Sequence, residues 1–381
     1  MTHLLVTNDF PPKVGGIQVY LWELWRRMDP ATYAVLTASS HPDATGFDAE
    51  CATAGIRVER VNEGVLWPTP GLARRIDAMA DSIGADLVVL DPALPLGLVG
   101  PQLRHPYAVL LHGAEVTVPG RLPVTQQLLN RVLKQARLLI SAGGYPAAEA
   151  GRSMRGRGLP PVVNVPPGVD LARFRPLGRE ERDEVRQRLG LGGPGPLVVS
   201  VSRLVPRKGM DVLIRASALL RKDVPDLSVA IAGKGREAEH LGRLVDELGA
   251  PVKMLGSVSD EDLPQLVAAA DLFAMLCRNR WLGLEQEGFG IVFLEAAAAG
   301  VPQVAGRSGG AHEAVEDGVT GRLVDRPDSP EDVARVIGDL LEDPGALSAM
   351  GRAGRDRVEA SFDYDVLAPR LAEALQGVGH W

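Results

Sequence analysis

Short runs of valine, leucine and isoleucine recur along this chain, each followed by a stretch of helical composition, and this alternation limits the fold more than any other feature. In the first half the runs fall at residues 4–7, 33–37, 57–61, 87–91, 108–112, 138–142 and 162–165. They lack the apolar–polar alternation of a half-exposed sheet. They therefore suit parallel strands covered on both faces, with helices such as 71–84 and 126–136 in the crossovers. Pro166-Pro167-Gly168-Val169-Asp170, then Arg173-Phe174-Arg175-Pro176, interrupts the pattern with restricted and turn-prone residues. The pattern restarts with runs at 197–201, 227–232, 252–255, 272–276, 303–305 and 322–324, and helical stretches at 210–220, 238–248 and 263–270. The expectation is an α/β protein of two doubly wound, Rossmann-like domains facing across a cleft, residues 1–168 and 169–360. A closing amphipathic helix within 361–381 is expected to pack back toward the first domain.

A chain of 381 residues, 45% of them hydrophobic, is long enough for about two such cores. It has no apolar run near the ~18 residues of a membrane span, and Met1-Thr2-His3-Leu4-Leu5-Val6-Thr7 lacks a signal-peptide layout. The expected location is therefore cytoplasmic. Cys51 and Cys277 match no metal-ligand spacing and read as buried small hydrophobes. A net charge of −7 argues against nucleic acid as a partner, but the charge is uneven. All the excess acid lies after residue 172, whereas residues 121–157 carry Arg121, Arg131, Lys134, Arg137, Arg152, Arg155 and Arg157 against Glu149 alone.

Ligands of open parallel sheets bind beyond the carboxyl ends of strands, so the residues following each run carry the functional signal. Paired glycines, Gly15 and Gly16, open the helix after the first run and let backbone approach a ligand closely. His112 ends the fifth run. After the first run of the second domain, Ser202-Arg203-Leu204-Val205-Pro206-Arg207-Lys208-Gly209 places three cations in six residues. Arg203 can bind phosphate through two parallel bonds and Lys208 can add a point charge. Gly233-Lys234-Gly235 and Gly309-Gly310-Ala311-His312-Glu313 follow later runs. Each of these also has a plain structural reading: a tight turn, a capped histidine, or a solvated charge run.

The richest stretch is Glu287-Gly288-Phe289-Gly290-Ile291-Val292-Phe293-Leu294-Glu295-Ala296. Two glycines precede a helix-forming run that stops at Gly300-Val301-Pro302, so a helix begins near Gly290. Its first turn has unpaired N–H groups and the positive end of the dipole, which suits a diphosphate. Glu287 and Glu295 would repel phosphate. They suit hydroxyl groups on either side of it, as in a nucleotide sugar; the alternative is a pair of solvated acids. Two Asp-x-Asp patterns, Asp260-Glu261-Asp262 and Asp363-Tyr364-Asp365, each begin a helix after a serine and read as caps. No metal and no separate cofactor is expected.

With these residues in view, nearly the whole chain resembles the GT-B glycosyltransferases of retaining family four. Glu287 and Glu295 match that family's Glu-x₇-Glu signature, joined by Gly15-Gly16, the Arg203/Lys208 pair, the Pro167-Gly168-Val169-Asp170 linker and Gly309-Gly310. Within the family, Asn8-Asp9-Phe10-Pro11-Pro12, residues 202–209 and residues 287–295 look most like the actinobacterial phosphatidylinositol mannosyltransferases that use GDP-mannose. The resemblance implies that Glu295 binds the ribose, that Glu287 with the Phe289 and Gly290 backbone holds the hexose, that Gly288 and Ile291 also belong to the donor site, and that Arg203 and Lys208 hold the diphosphate. It places His112 near the reacting carbon and Gly15-Gly16 beside the donor. It also implies retention of configuration. Two stretches depart from the pattern, His112-Gly113-Ala114-Glu115, where lipid-acceptor members commonly carry His-Gly-His-Glu, and residues 278–286.

The leading expectation is a metal-independent retaining mannosyltransferase with a GDP-mannose donor and a phosphatidylinositol-type lipid acceptor. The basic segment 121–157 would give peripheral contact with an anionic membrane at its inner face. One alternative is a glycosyltransferase of the same fold that uses another nucleotide sugar and a soluble sugar or small-metabolite acceptor. Another is a catalytically silent nucleotide-sugar-binding protein.

Overall fold

The computed structural model describes residues 1–39 and 41–378, with all side chains among them except that of Leu282. The chain divides into two compact units, one of residues 1–167 with 364–378, the other of residues 168–363. Each is built on one parallel sheet.

The first sheet contains β1 (His3–Thr7), β2 (Tyr33–Ala38), β3 (Arg57–Val61), β4 (Leu87–Asp91), β5 (Tyr107–Leu111), β6 (Leu138–Ser141) and β7 (Val162–Asn164), in the order β3-β2-β1-β4-β5-β6-β7. Its central strands are apolar on both faces because both faces are covered. Leu4, Val6, Val88, Leu90, Val109 and Leu111 join one core. Their neighbours Leu5, Leu87, Val89, Ala108 and Leu110 join the other, as the two-residue period of a strand requires.

The helix Pro70–Ile83 shows how a crossover is specified. Thr69 caps it by accepting from the Leu72 N–H at 3.1 Å, Pro70 opens it, and Gly84 closes it in the left-handed region at φ 62°. Leu72, Ala73, Ile76, Met79 and Ala80 form its buried stripe. Burying a side chain the size of Ile76 contributes about 1.5–3 kcal/mol, so Ile76→Asp would break the docking. The last helix, Tyr364–Gly377, belongs to this unit: Tyr364, Leu367, Leu371 and Leu375 share a core with Tyr20, Leu21, Leu24 and Trp25.

The second sheet contains β8 (Leu197–Val201), β9 (Ser228–Ala232), β10 (Val252–Gly256), β11 (Leu272–Met275), β12 (Gln303–Gly306) and β13 (Gly321–Val324), in the order β10-β9-β8-β11-β12-β13. In both sheets the chain lays strands outward from the first one, then returns to its other side. That return makes a crevice at the carboxyl ends of β1 and β4 in one unit, and of β8 and β11 in the other.

Candidate active site

In the second unit four strand-end loops meet at the β8/β11 crevice. The loop after β8 is stitched to the loop after β9 by the Leu204 N–H donating to the Lys234 carbonyl at 2.8 Å. At its far end Gly209 has φ 67°, and a Cβ there would lie 2.1 Å from the Leu276 carbonyl oxygen. Only glycine lets this loop press so closely on the end of β11. Arg278 locks the two loops together: its Nε donates to the Pro206 carbonyl at 2.9 Å and its guanidinium grips Asp211 at 2.9 Å. The loop after β12 joins through the Gly310 N–H, which donates to the Glu287 carbonyl at 2.9 Å, and through Ser308, which accepts the Glu287 N–H at 3.2 Å.

Glu287 is the centre of this arrangement. It is buried, and its Oε2 accepts from Lys208 Nζ at 2.7 Å, Arg207 Nη1 at 2.5 Å and Cys277 Sγ at 3.3 Å. Burial alone would raise its pKa, but the Lys208 and Arg207 charges outweigh burial and hold it down at about 2. Glu287 is therefore a fixed anion at neutral pH. Phe289 is buried beside Phe362 and anchors the turn, while Gly290 caps the helix Ile291–Ala298 at φ 91°, where a Cβ would meet the Phe293 ring at 2.6 Å. The first-turn N–H groups of that helix follow directly after Gly290.

Glu295 lies one turn inside the helix and is half-buried. Burial pushes its pKa up to about 7, with Arg173 opposing and Asp260 adding to the rise. It has no side-chain hydrogen bond among the described residues, so it stands ready for a hydroxyl partner. Arg203 is exposed and makes no ion pair among the described residues. Thus the cations divide differently from the sequence expectation. Arg203 is open to a ligand, whereas Lys208 and Arg207 both hold Glu287. Arg207, Cys277, Arg278 and Ser308 were not singled out as site residues; the only signal was their place after strands.

In the first unit the β1/β4 crevice holds a chain of buried polar groups. Thr7 Oγ1 donates to Asp91 Oδ2 at 2.6 Å, and His112 Nε2 lies 2.5 Å from Asp91 Oδ1. β5 ends at Leu111, which leaves His112 as the first loop residue. Its main-chain N–H donates to Glu115 Oε1 at 2.6 Å, and the Tyr20 ring lies edge-on 5.7 Å away. Burial would lower the His112 pKa, but the Asp91 carboxylate, with Glu115 and Asp9, raises it to about 9. Asp91 itself is wholly buried, an acid ending an otherwise apolar strand. Gly15 and Gly16 open the helix Gly16–Trp25, where Gln18 donates to Asp9 at 2.6 Å and Lys13 pairs with Asp9 at 3.1 Å.

The Asp260 and Asp262 carboxylates serve other ends. Asp262 donates its N–H to Ser259 Oγ at 3.0 Å and pairs with Arg188 at 2.5 Å, while Asp260 faces Arg173 at 3.2 Å. A cavity of about 830 Å³ lies at the opposite, amino end of β11, where Arg182 and Arg186 hold Asp271. Its residues form a structural clasp remote from Glu287.

Residues 181–357 match the family model described as glycosyl transferases group 1. The chain is 41% identical over 384 residues to a Mycolicibacterium smegmatis protein named GDP-mannose-dependent alpha-(1-6)-phosphatidylinositol monomannoside mannosyltransferase, with 98% of each chain covered. It is 36% identical over 378 residues to a Corynebacterium glutamicum protein named GDP-mannose-dependent monoacylated alpha-(1-6)-phosphatidylinositol monomannoside mannosyltransferase, covering 98% of this chain and 97% of that one. Among solved structures, Anabaena HepE in complex with UDP shares the fold, with a TM-score of 0.82 at 24% identity over 99% of this chain and 100% of that one.

Proposed function

The chain belongs to the group 1 glycosyl transferases, and from that premise we propose that it moves mannose from GDP-mannose onto a phosphatidylinositol-type glycolipid with retention of configuration. The observation that carries this reading is Glu287, an ionised carboxylate held by two cations at the start of a helix, within a chain similar along its length to named mannosyltransferases. In this reading the first-turn N–H groups, Arg203 and Lys208 bind the diphosphate and stabilise it as it leaves. Glu287 accepts hydroxyl hydrogens of the hexose, and Glu295 those of the ribose. His112, held by Asp91 at Nε2, has no hydrogen bond at its other ring nitrogen among the described residues, and the resemblance alone assigns it a part at the hexose.

The bond from mannose C1 to the β-phosphate oxygen breaks, and a bond forms from C1 to an acceptor hydroxyl oxygen. The hydroxyl proton passes to the departing phosphate. No step needs a metal ion, because the cationic side chains and helix N–H groups supply the positive field. EDTA-treated enzyme should keep its full rate; rescue by Mg²⁺ or Mn²⁺ would refute metal independence.

The lipid side of the proposal draws on the basic segment. Arg131, Lys134, Arg137, Arg155 and Arg157 are exposed, whereas Arg121 and Arg152 engage Glu149. On the helix Pro123–Gln135, Val124, Leu128 and Arg131 follow at four- and three-residue steps, which places two exposed apolar side chains and a cation on one face. Among the described residues no helix is long and apolar enough to cross a membrane. The docking proposed is peripheral, with each cation near an anionic surface contributing about 1 kcal/mol. Labelled GDP-mannose incubated with vesicles containing phosphatidylinositol monomannoside should yield a labelled lipid one hexose heavier. Label appearing only in water-soluble acceptors would overturn the lipid assignment.

A further inference from the structure

Three donors converge on one oxygen of Glu287, and none reaches the other. Arg207, Lys208 and Cys277 all point at Oε2, while Oε1 has no hydrogen bond among the described residues. Two cations are more than the resting carboxylate needs, and they are not equivalent. Lys208 ends in a compact ammonium on a flexible stem, suited to turning toward a phosphate. Arg207 is fixed: its carbonyl accepts the Arg278 N–H at 2.9 Å, and its guanidinium lies between Glu287 at 2.5 Å and Glu285 at 4.0 Å. Glu285 is itself held by Arg280 at 2.9 Å. A guanidinium between two carboxylates is badly placed to receive a diphosphate.

We propose that Arg207 is a positioning residue for transfer: it holds Glu287 by one oxygen, keeps the other open to a hexose hydroxyl, and keeps Glu287 ionised when Lys208 turns to the diphosphate. The inference rests on the reading that Glu287 contacts the transferred hexose. A buried carboxylate abandoned by Lys208 would take up a proton and lose its acceptor strength unless a second cation stayed behind. The charged and titratable groups around it are Arg207 and Lys208 from the loop after β8, Cys277 from the end of β11, and Glu285 beyond Arg207. The loop after β12 contributes the Ser308 hydroxyl and the Gly310 N–H, both to the Glu287 main chain.

The experiment compares Arg207→Gln, Arg207→Lys, Glu287→Gln and the Arg207→Gln/Glu287→Gln double variant. GDP affinity is measured by calorimetry, and GDP-mannose turnover is followed from pH 4.5 to 9. For Arg207→Gln we expect kcat to fall at least ~10-fold with GDP affinity unchanged, since GDP has no hexose. The acid limb of its profile should rise to or above the ordinary carboxylate range near 4.3. Arg207→Lys should recover part of the rate, and Arg207→Gln should add nothing once Glu287 is Gln. A parallel fall in GDP affinity would instead make Arg207 a phosphate ligand, and an unshifted acid limb would make it merely structural; either overturns the proposal. Normal turnover by Glu287→Gln would overturn the hexose reading itself. Should Arg207→Gln fail to fold, Arg207→Lys with an unchanged profile and rate would refute the proposal alone.

Discussion

The crevices of the two sheets hold ionic groups of opposite sign. At β1/β4, acids surround one imidazole: Asp91 lies 2.5 Å from His112, and Glu115 and Asp9 add to the field that raises its pKa to about 9. At β8/β11, cations surround one carboxylate, and Glu287 falls to about 2. In both places burial works against the charged form and neighbouring charges win. The first unit therefore fixes a cation at neutral pH and the second an anion. A doubly wound sheet supplies the crevice in each case; the residues placed at the strand ends choose the sign.

The largest expected effect comes from removing the anion. Glu287→Gln takes a charged acceptor from a site built around it, and charged hydrogen bonds contribute about 1.5–3 kcal/mol. kcat/KM for GDP-mannose should fall 10- to 100-fold. Arg207 and Lys208 then face each other without a counter-charge, so the variant should also be less stable by about 3 kcal/mol in denaturant titration. Unchanged stability would show that the two cations do not depend on Glu287, and would break the comparison on its second side.

On the first side, the equivalent test is Asp91→Asn. A histidine whose folded pKa is about 9 adds stability that is fully present below its ordinary 6.5 and lost as pH rises through 9. The interval corresponds to about 3 kcal/mol. The gap in Tm between the wild type and Asp91→Asn should thus be widest near pH 6 and close toward pH 10. A gap independent of pH would mean that Asp91 acts on His112 by packing and not by charge.

Glu295 sharpens the contrast because it shares Glu287's unit but not its cations. The charges that act on it are Arg173 and Asp260, which oppose one another, and burial prevails to give about 7. A carboxyl whose folded pKa lies above its unfolded value costs stability as it ionises, so stability falls as pH rises from about 4.5 through 7. Glu295→Gln should raise Tm at pH 8, with the gain shrinking toward pH 4.5. In the wild type, GDP should bind more tightly at pH 8 than at pH 6, since the ionised carboxylate is the better ribose acceptor. A flat pH dependence in the wild type would remove Glu295 from the donor site.

Much of this was legible in advance, for a definite reason. Buried parallel strands must be apolar on both faces, so their runs stand out; the run at 197–201 and the helix at 210–220 match β8 and its following helix residue for residue. The positions after strands were readable too, which is why Glu287, Lys208, Arg203 and His112 could be named. What could not be read was the pairing. Nothing in residues 202–209 tells that Arg207 and not Arg203 turns toward Glu287, because that choice depends on Gly209 bringing the loop against Leu276. Asp91 was hidden in another way, since its partners Thr7 and His112 lie 84 and 21 residues distant and meet only through strand order.

The smallest expected effect separates true charge pairing from mere proximity. Cys277 completes the shell of Glu287 with a weak S–H donor 3.3 Å away, and burial raises its own pKa far above the ordinary thiol value. It therefore stays a thiol and adds no charge to the site. Cys277→Ala removes that donor while leaving Arg207 and Lys208 in place, so kcat/KM should change by no more than about threefold, near 0.5 kcal/mol. The acid limb of the pH profile should stay where the two cations put it. A tenfold loss, or an acid limb shifted as far as that of Arg207→Gln, would mean that the sulfur and not the ion pairs sets the state of Glu287. The contrast of an anion held by cations with a cation held by anions would then fail on the side where it is drawn most sharply.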